Sequence, residues 1–591
     1  MARRGIAIVL VFLSAAVVIS ILTIVAMYLL VGRQPSVPTR ATLILKVGGD
    51  LAETAPTDVV SYLSTRHPPT VRAIVETLRK AKVDSRVQAI LLEPTGFSTP
   101  YWGKIQEIRD AVLDFRASGK PVYAYLEYAS DRDYYLASAA DRVFLMPSST
   151  LDLKGIATLQ LFLRGTLDLI GVFPDLLHVG DYKTAVNTFT EKGYTPAHKA
   201  MDASLNASLY EALVRGIAEG RKKTLDEVRG LIDQGPFLPV AAVEVGLVDR
   251  LAYEDDARAE LGRALQDDAV GDIAAEDYAR VSATSLGLNR GPRIGIIYAS
   301  GAITVGRSGF DPLNGATAGA ETLVDAIRRA RKDASLKALI LRIDSPGGSA
   351  TASDVIWHEL VKAKEERPER PLIASMSDLA ASGGYYLAMA ADAIVAHPST
   401  LTGSIGIFGG KYVTGGLYAK LGANIESTSD GQYAEIESPA RPFTPEEARK
   451  VQKQLQAFYD QFVEKVATSR GKTPAEIQQV AQGRVWTGQQ AHRNGLVDEI
   501  GGLDRAVALA KARAKLDPEA EVELVIFPAP KTFFEVLAEQ WGAGAEQAVV
   551  SGWLASHVSA AERELLRAIR GPFASFRPGE TLALMPYVVL R

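Results

Sequence analysis

Tyr134-Tyr-Leu-Ala-Ser-Ala-Ala-Asp141 returns later in the chain as Tyr385-Tyr-Leu-Ala-Met-Ala-Ala-Asp392, with a single residue changed. Further on, Gly246-Leu-Val-Asp249 returns unchanged as Gly495-Leu-Val-Asp498. The two pairs keep the same order and nearly the same separation, which chance matches would not do. The sequence therefore contains two copies of one unit. This unit is a whole domain, because the period is far longer than that of a solenoid repeat.

Three more pairs of segments precede these motifs, and the members of each pair share one pattern. The first and third pairs are short, apolar runs that predict buried strands, whereas the second pair has the pattern of a helix with a charged face. Strands that alternate with helices in this way predict an α/β fold made of two related layered domains. The pairs are Thr42–Val47 with Arg293–Tyr298, Ile74–Lys82 with Leu323–Lys332, and Val87–Leu92 with Leu336–Leu341.

The chain of 591 residues is long enough for two or three domains. Between the two copies the sequence is polar, contains glycine and is weakly periodic, which indicates a linker. After about Pro530 no motif can be assigned. The predicted segments are 1–40 (anchor and tether), 41–266 (first repeat), 267–292 (linker), 293–530 (second repeat) and 531–591 (C-terminal tail without an assigned role).

The composition excludes several kinds of site. A net charge of −4 gives no basic excess, so nucleic acid is not an expected partner. Cysteine is absent, which rules out disulfides, thiol nucleophiles and thiolate metal sites. The seven histidines show no tight metal-ligand spacing. We therefore expect no metal and no other cofactor.

The N-terminal stretch predicts a membrane anchor. Residues 5–32 carry no charge and exceed the ~20 residues that a spanning helix needs. The apolar region of a cleaved signal peptide is shorter, about 7–15 residues, and a small-residue cleavage site follows it. Arg3 and Arg4 favour an orientation with the short N-terminal tail on the cytoplasmic side of the membrane and the large C-terminal body on the other side. Arg33, at the other end of the stretch, partly offsets this preference.

Two glycine-containing loops of the second copy are candidates for catalysis. Asp344-Ser-Pro-Gly-Gly-Ser349 follows one apolar strand, and Ala380-Ala-Ser-Gly-Gly384 follows another. A serine at a strand-to-helix turn exposes its hydroxyl beside backbone N–H groups. Glycines let a backbone approach a ligand closely, and convergent N–H groups can stabilise the oxyanion of an acyl-transfer reaction. Together the loops predict a nucleophile, Ser382, and an oxyanion hole.

A nucleophilic serine needs a base, and two residues qualify from the sequence. Lys183, in His178-Val-Gly-Asp-Tyr-Lys183, would serve only if burial lowered its pKa from ~10.4 toward neutrality. His397 follows Ser382 in the same copy and would give a Ser/His pair. The residues alone leave both open.

Four motifs together resemble the signal peptide peptidase A family in its long, two-repeat form. They are Gly180-Asp-Tyr-Lys-Thr-Ala185, Ala380-Ala-Ser-Gly-Gly-Tyr-Tyr386, Asp344-Ser-Pro-Gly-Gly-Ser349 and Leu401-Thr-Gly-Ser-Ile-Gly-Ile-Phe-Gly409. The resemblance covers nearly the whole chain. It implies a tandem duplication of a crotonase-like or Clp-protease-like domain behind an N-terminal transmembrane helix.

The resemblance also implies residue roles and a biological setting. Ser382 would be the nucleophile and Lys183 the base of a dyad formed across the repeats, with the Ser404 hydroxyl holding the lysine amine. Gly383, Gly347 and Gly348 would form the oxyanion hole. The family further implies remnant signal peptides as substrates, a homotetramer, and a bacterial inner-membrane protein with its catalytic body on the extracytoplasmic side.

The repeats themselves agree with this division of roles. Aligned on the shared Tyr-Tyr-Leu motif, Asp131 of the first copy stands opposite Ser382, so that copy has no equivalent nucleophile. The segment of the second copy that matches Lys183, residues 430–435, contains no lysine. Each copy carries what the other lacks, which predicts one site per chain.

Three alternatives stay open at this point. One keeps Ser382 and makes His397 the base. Another is an acyl-CoA enzyme, because crotonase-like folds also bind thioesters with paired backbone amides. The last is a catalytically inactive scaffold that binds membrane peptides. The intact glycine loops of the second copy argue against a scaffold, and the predicted anchor argues against a soluble CoA enzyme.

Overall fold

The computed structural model describes most of the two predicted repeats. The described residues are 18–19, 35–54, 69–266, 270–311, 315–529, 576, 579–586 and 589–590. The predicted anchor, residues 5–32, lies outside them apart from residues 18 and 19. Within the described ranges, no helix is long and apolar enough to cross a membrane.

The first repeat is built on a sheet of six parallel strands. The central strands are apolar and buried on both faces, as expected of a parallel sheet covered by helices. In spatial order the strands are Gly271–Ala274, Ala41–Gly49, Val87–Phe97, Val122–Leu126, Arg142–Leu145 and Arg250–Leu251.

The second repeat has a matching sheet with the same strand order. Two further strands extend it where Leu401–Gly403 pairs with the end of Leu372–Ala381 and in turn with Val485–Thr487. The duplication read from the sequence is thus visible in the strand order. The matching strands are Glu523–Phe527, Arg293–Ser300, Leu336–Ser345, Leu372–Ala381, Ala393–Ala396 and Glu499–Ile500.

The motifs that reveal the duplication make equivalent contacts in the two repeats. The Tyr134 hydroxyl donates a hydrogen bond to the carbonyl oxygen of Leu247 at 2.6 Å. The Tyr385 hydroxyl donates in the same way to Leu496 at 2.9 Å. Each bond ties the Tyr-Tyr-Leu helix to the Gly-Leu-Val-Asp corner, so the two motifs recur together because they contact each other.

Helices cover the sheets, and several begin at sequence signals that fix their ends. Thr195 and Thr444 cap the two longest helices, each with a proline next in the sequence, as is typical of helix starts. The helices are Val71–Val83, Gly103–Arg116, Asp131–Ala137, Arg164–Ile170, Asn187–Thr190, Pro196–Arg221, Leu225–Ile232, Pro239–Glu244, Glu254–Ala264, Ala275–Tyr278, Ala320–Lys332, Ala350–Glu365, Gly383–Ala388, Gly415–Lys420, Pro445–Arg470, Pro474–Val480, Gly488–Arg493 and Leu503–Arg513.

A third sheet of seven strands joins the two repeats. Its end strand from the first repeat, Phe173–Val179, pairs antiparallel with Ile407–Val413 of the second. Through this pairing, the segment that directly precedes Lys183 is hydrogen-bonded to a strand of the second repeat. In order, the strands are Gly309–Asp311, Gly315–Gly319, Ala302–Thr304, Gly347–Ser349, Leu582–Leu584, Ile407–Val413 and Phe173–Val179.

The predicted linker, residues 267–292, needs a correction over its described part. Residues Gly271–Ala274 form the edge strand of the first sheet, and Ala275–Tyr278 is a short helix. Ile273, Tyr278 and Val281 are buried in the core of the first repeat. The segment therefore packs as part of that repeat, and its apolar residues are too few and too irregularly spaced to have predicted this.

Candidate active site

Ser382 lies at the turn between the buried strand Leu372–Ala381 and the helix Gly383–Ala388. Its backbone has φ 55° and ψ −110°, a conformation that residues with a side chain rarely adopt. The Ser382 N–H donates to the Gly403 carbonyl at 2.7 Å, and its carbonyl accepts from Tyr386 at 2.8 Å. The turn is therefore held by backbone hydrogen bonds on both sides.

The two glycine loops lie against each other. Gly347 has φ +98°, and a Cβ on it would lie 2.7 Å from the Gly383 nitrogen, so only glycine fits. The Gly348 nitrogen would likewise lie 3.1 Å from a Cβ on Gly383. The loops thus bring the backbones of the three glycines into close contact. The Gly347 N–H also donates to the Ser345 hydroxyl at 3.2 Å, so a ligand at Gly347 would compete with that bond.

Lys183 of the first repeat reaches Ser382 of the second. Its Nζ lies 2.8 Å from the Ser382 Oγ. The same nitrogen lies 3.0 Å from the Ser404 Oγ and 3.1 Å from the Ser404 carbonyl oxygen. All three side chains are fully buried. The structure therefore brings together the three residues to which the family resemblance gives the roles of nucleophile, base and orienting hydroxyl.

Burial changes the acid–base chemistry of Lys183. Removal from water lowers its pKa well below the ordinary value of 10.5, because the ammonium loses its hydration in the protein interior. Across the described residues, no carboxylate forms an ion pair with Lys183 that would offset this effect. A lysine in such a place can hold a neutral amine, which is the form that accepts a proton.

The backbone of Lys183 is held by a loop that the sequence analysis missed. Tyr182 N–H donates to the Gln482 carbonyl at 2.9 Å. Gly483 has φ +80°, and a Cβ there would lie 2.5 Å from both N and Cα of Lys183. The contact joins parts of the chain far apart in sequence, and the only local signal was a lone glycine.

The C-terminal tail, to which no role was assigned, contributes a strand next to the site. Leu582–Leu584 pairs antiparallel with Gly347–Ser349, and the Met585 N–H donates to Pro346 at 2.9 Å. Leu582 and Ala583 are fully buried. The strand Gly347–Ser349 of the Ser-Pro-Gly-Gly loop thus has a neighbouring strand on each side, Ala302–Thr304 on one and Leu582–Leu584 on the other. The three residues of Leu582–Leu584 are too few for a periodic pattern to predict this strand.

His397, the alternative base, faces the first repeat. Its Nε2 lies 3.5 Å from Glu107 and its Nδ1 lies 3.7 Å from Asp110. A Cβ on Gly502 would lie 2.6 Å from its Nε2, so the ring is closely packed on that side as well. No hydrogen bond links His397 to Ser382 within the described parts of the chain. Its surroundings are those of a residue at the contact between the repeats.

Comparison with known proteins agrees with the duplicated architecture. The model of peptidase family S49 matches the chain twice, at residues 114–267 and 364–517. The chain belongs to peptidase family S49. The second match contains Ser382, and the first contains Lys183.

Three named relatives match this chain, two of them over about three quarters of it and one over about a third. The chloroplastic serine protease SPPA of Arabidopsis thaliana is 38% identical over 77% of this chain and 68% of its own length. Protease 4 of Salmonella typhi is 35% identical over 75% of this chain and 72% of its own. A putative signal peptide peptidase SppA of Enterococcus faecium is 32% identical over 34% of this chain and 58% of its own. The chain is accordingly a serine protease with an α/β fold and a duplicated S49 domain.

Proposed function

We propose that this S49 protein hydrolyses peptide bonds with a dyad of Ser382 and Lys183, one residue from each repeat. The observation that carries the proposal is the 2.8 Å contact between the Lys183 Nζ and the Ser382 Oγ in a fully buried site. A hydrogen bond between nucleophile and base is what proton transfer requires. The burial of Lys183 supports its role as base because it favours the neutral amine.

The reaction proceeds in two stages. Neutral Lys183 takes the Ser382 proton as the serine oxygen attacks the carbonyl carbon of the scissile peptide bond. The lysine ammonium then gives that proton to the leaving amine, and an acyl-enzyme ester remains on Ser382. In the second stage Lys183 takes a proton from water, whose oxygen attacks the ester, and returns it to Ser382. Ser404 orients the lysine amine through its hydroxyl and carbonyl oxygens.

The oxyanion that forms in each stage needs hydrogen-bond donors. We assign this role to the backbone N–H groups of Gly383, Gly347 and Gly348, which lie at the contact between the two glycine loops. Loss of one preorganised donor of this kind costs about 3–4 kcal/mol of transition-state stabilisation. Gly347 contributes only if its bond to the Ser345 hydroxyl gives way.

The proposed setting is the extracytoplasmic face of a bacterial inner membrane, with residues 5–32 as a single-pass anchor in the lipid. The uncharged length of this stretch supports an anchor. The proposed substrates are remnant signal peptides and other apolar peptides, supported by the name of the Enterococcus faecium relative. A homotetramer is proposed from the resemblance to the family, as is the crotonase-like or Clp-protease-like character of the fold.

Hydrolysis of an apolar peptide ester by the full-length protein in detergent tests the dyad. We expect Ser382→Ala and Lys183→Met to abolish turnover, and His397→Gln to keep most of it. Lys199→Met serves as the matched control, since Lys199 is an exposed lysine on the helix Pro196–Arg221. Full activity in Lys183→Met together with its loss in folded His397→Gln would replace the lysine by the histidine as base.

A further inference from the structure

A second lysine of the first repeat enters the second repeat, near the candidate oxyanion loop. Lys104 lies at the start of the helix Gly103–Arg116 and is buried. Its Nζ lies 2.7 Å from Asp344 Oδ2 and 3.5 Å from Asp378 Oδ2. Both carboxylates belong to the second repeat, and the proposed reaction uses none of the three groups.

The two carboxylates stand at the ends of the strands that carry the site. Asp344 directly precedes Ser345-Pro-Gly-Gly, and Asp378 lies on the strand that leads to Ser382. Asp344 Oδ1 also accepts the Leu379 N–H at 3.2 Å, which joins the two strand ends. The ammonium of Lys104 therefore lies between the segment that offers the oxyanion donors and the segment that offers the nucleophile.

The helix that carries Lys104 is seated directly on the nucleophile strand. Asp378 Oδ1 accepts the Lys104 backbone N–H at 2.9 Å, so a carboxylate of one repeat binds a free N–H group at the helix start of the other. A Cβ on Gly103 would lie 2.8 Å from the Ser377 carbonyl oxygen. This close approach leaves Lys104 little freedom to move.

The charges make the lysine necessary. Asp378 is fully buried, and removal from water raises its pKa to about 6 even beside Lys104. Glu53 adds another negative charge that acts on both Lys104 and Asp378. Without the ammonium, Asp344 and Asp378 would be two carboxylates in a poorly hydrated space, which repel each other or require a proton. Either outcome changes the spacing of the two strand ends.

We infer that Lys104 is a positioning residue that sets the distance between the Ser-Pro-Gly-Gly loop and Ser382 through Asp344 and Asp378. The inference rests on the proposed function, since it assigns the two loops to one reaction. In this arrangement the first repeat supplies Lys183 and, through Lys104, also sets the distance between the nucleophile and the oxyanion donors of the second repeat.

The test compares four full-length variants by kcat and KM for the peptide ester, per active site titrated with a fluorophosphonate. Lys104→Met is expected to lower kcat by roughly 10- to 100-fold with little change in KM, because misplacement of reacting groups acts on the chemical step. Adding Asp378→Asn to it removes one of the two carboxylates, and with it their mutual repulsion, and keeps an acceptor for the Lys104 backbone N–H, so kcat should largely recover. Lys104→Arg should lie between.

The matched control is Lys80→Met. Lys80 is also a buried lysine on a helix of the first repeat, but it donates to the backbone carbonyls of Ala279 and Val281 at 2.7 and 2.9 Å. Its loss should lower stability and leave kcat per titrated site unchanged. If Lys104→Met behaves in the same way, the residue is only structural and the inference is wrong.

Recovery of kcat on adding Asp378→Asn is the result that a purely structural role of Lys104 would not produce. If the double variant loses as much kcat as the single one, or more, the charge argument fails. Should Lys104→Met not fold, Lys104→Gln with and without Asp378→Asn gives the same comparison. The proposed function is tested separately by Ser382→Ala, whose retained activity would overturn the dyad whatever the Lys104 variants do.

Discussion

Ser382 and Lys183 each occupy a conformation or an environment that works against folding. Ser382 has a positive φ, which strains a residue with a side chain, and Lys183 is an amine buried away from water. Such costs concentrate at functional sites, where activity and stability make opposing demands. The backbone bonds of Ser382 to Gly403 and Tyr386 are what hold the strained turn.

Replacing Lys183 by methionine should stabilise the protein while abolishing its activity. The folded state binds fewer protons at Lys183 than the unfolded state wherever the pH lies between its lowered pKa and ~10.4. The wild-type penalty is therefore full below the lowered pKa and disappears as pH rises toward ~10.4. We expect a gain of about 1–2 kcal/mol in unfolding free energy near neutral pH, shrinking as the pH rises.

Denaturant unfolding of wild type and Lys183→Met at a series of pH values measures this difference. Lys199→Met, on the protein surface, is the control and should show no such trend. A methionine variant that is less stable than wild type at every pH would contradict the view that Lys183 is held neutral by burial.

At this scale the sequence predicted the residues that carry recognisable chemistry, and it missed those that only make room for them. Ser382 stood out because serine is followed by two glycines between an apolar strand and a helix. Lys183 stood out only through its resemblance to a family motif. Gly483 was missed because a side chain there is excluded by the Lys183 backbone of the other repeat. No local sequence pattern contains such a contact.

Among the elements, the Gln482–Gly483 turn decides where the Lys183 loop can lie. A side chain at Gly483 would overlap the Lys183 backbone, and φ +80° adds strain to any residue other than glycine. Gly483→Ala should therefore displace Lys183 and lower kcat by about 100-fold, as expected when a catalytic group moves by ~1 Å. The steady-state rate of ester hydrolysis gives the answer.

Gly471→Ala is the matched control for this prediction. Gly471 also has a positive φ, +61°, but a Cβ there would have no atom within 4 Å. The control should lose about 1 kcal/mol of stability through backbone strain and keep its activity. Equal activity in folded Gly483→Ala and Gly471→Ala would show that the turn does not position Lys183.

The longer elements were predictable, and the shorter ones were not. Val87–Phe97 and Leu336–Ser345 contain apolar runs whose length and β-branched residues favour buried strands. Gly271–Ala274 and Leu582–Leu584 have only four and three residues. They form strands because their backbones pair with strands of sheets that the rest of the chain builds. Tertiary context of this kind leaves no periodic signal.

For the whole molecule, a buried ionic cluster joins the repeats beside the site. Arg342 of the second repeat lies 2.8 Å from Glu53 and 2.5 Å from Glu107, both of the first. Arg342 and His397 lower the pKa of Glu107 although burial opposes its ionisation. Breaking such a pair leaves an unpaired buried charge, so the repeats are held in one arrangement. A fixed arrangement is what a dyad shared between them requires.

Because Lys183 and Ser382 meet within one chain, two inactive chains should not rescue each other. We expect a mixture of Lys183→Met and Ser382→Ala proteins, refolded together from denaturant, to show no ester hydrolysis above either variant alone. Wild type carried through the same refolding controls for recovery. Activity that appears only in the mixture would mean that the lysine of one chain serves the serine of another.

The most direct test of the central claim is the rate at which a fluorophosphonate labels the protein, measured against pH in wild type and in Lys183→Met, with the labelled residue located by peptide mass spectrometry. We predict labelling on Ser382, with a wild-type rate that rises with pH through a single titration well below 10.5, and a slow rate in Lys183→Met that lacks this titration. Labelling of another serine, or an unchanged pH profile in Lys183→Met, would contradict the account.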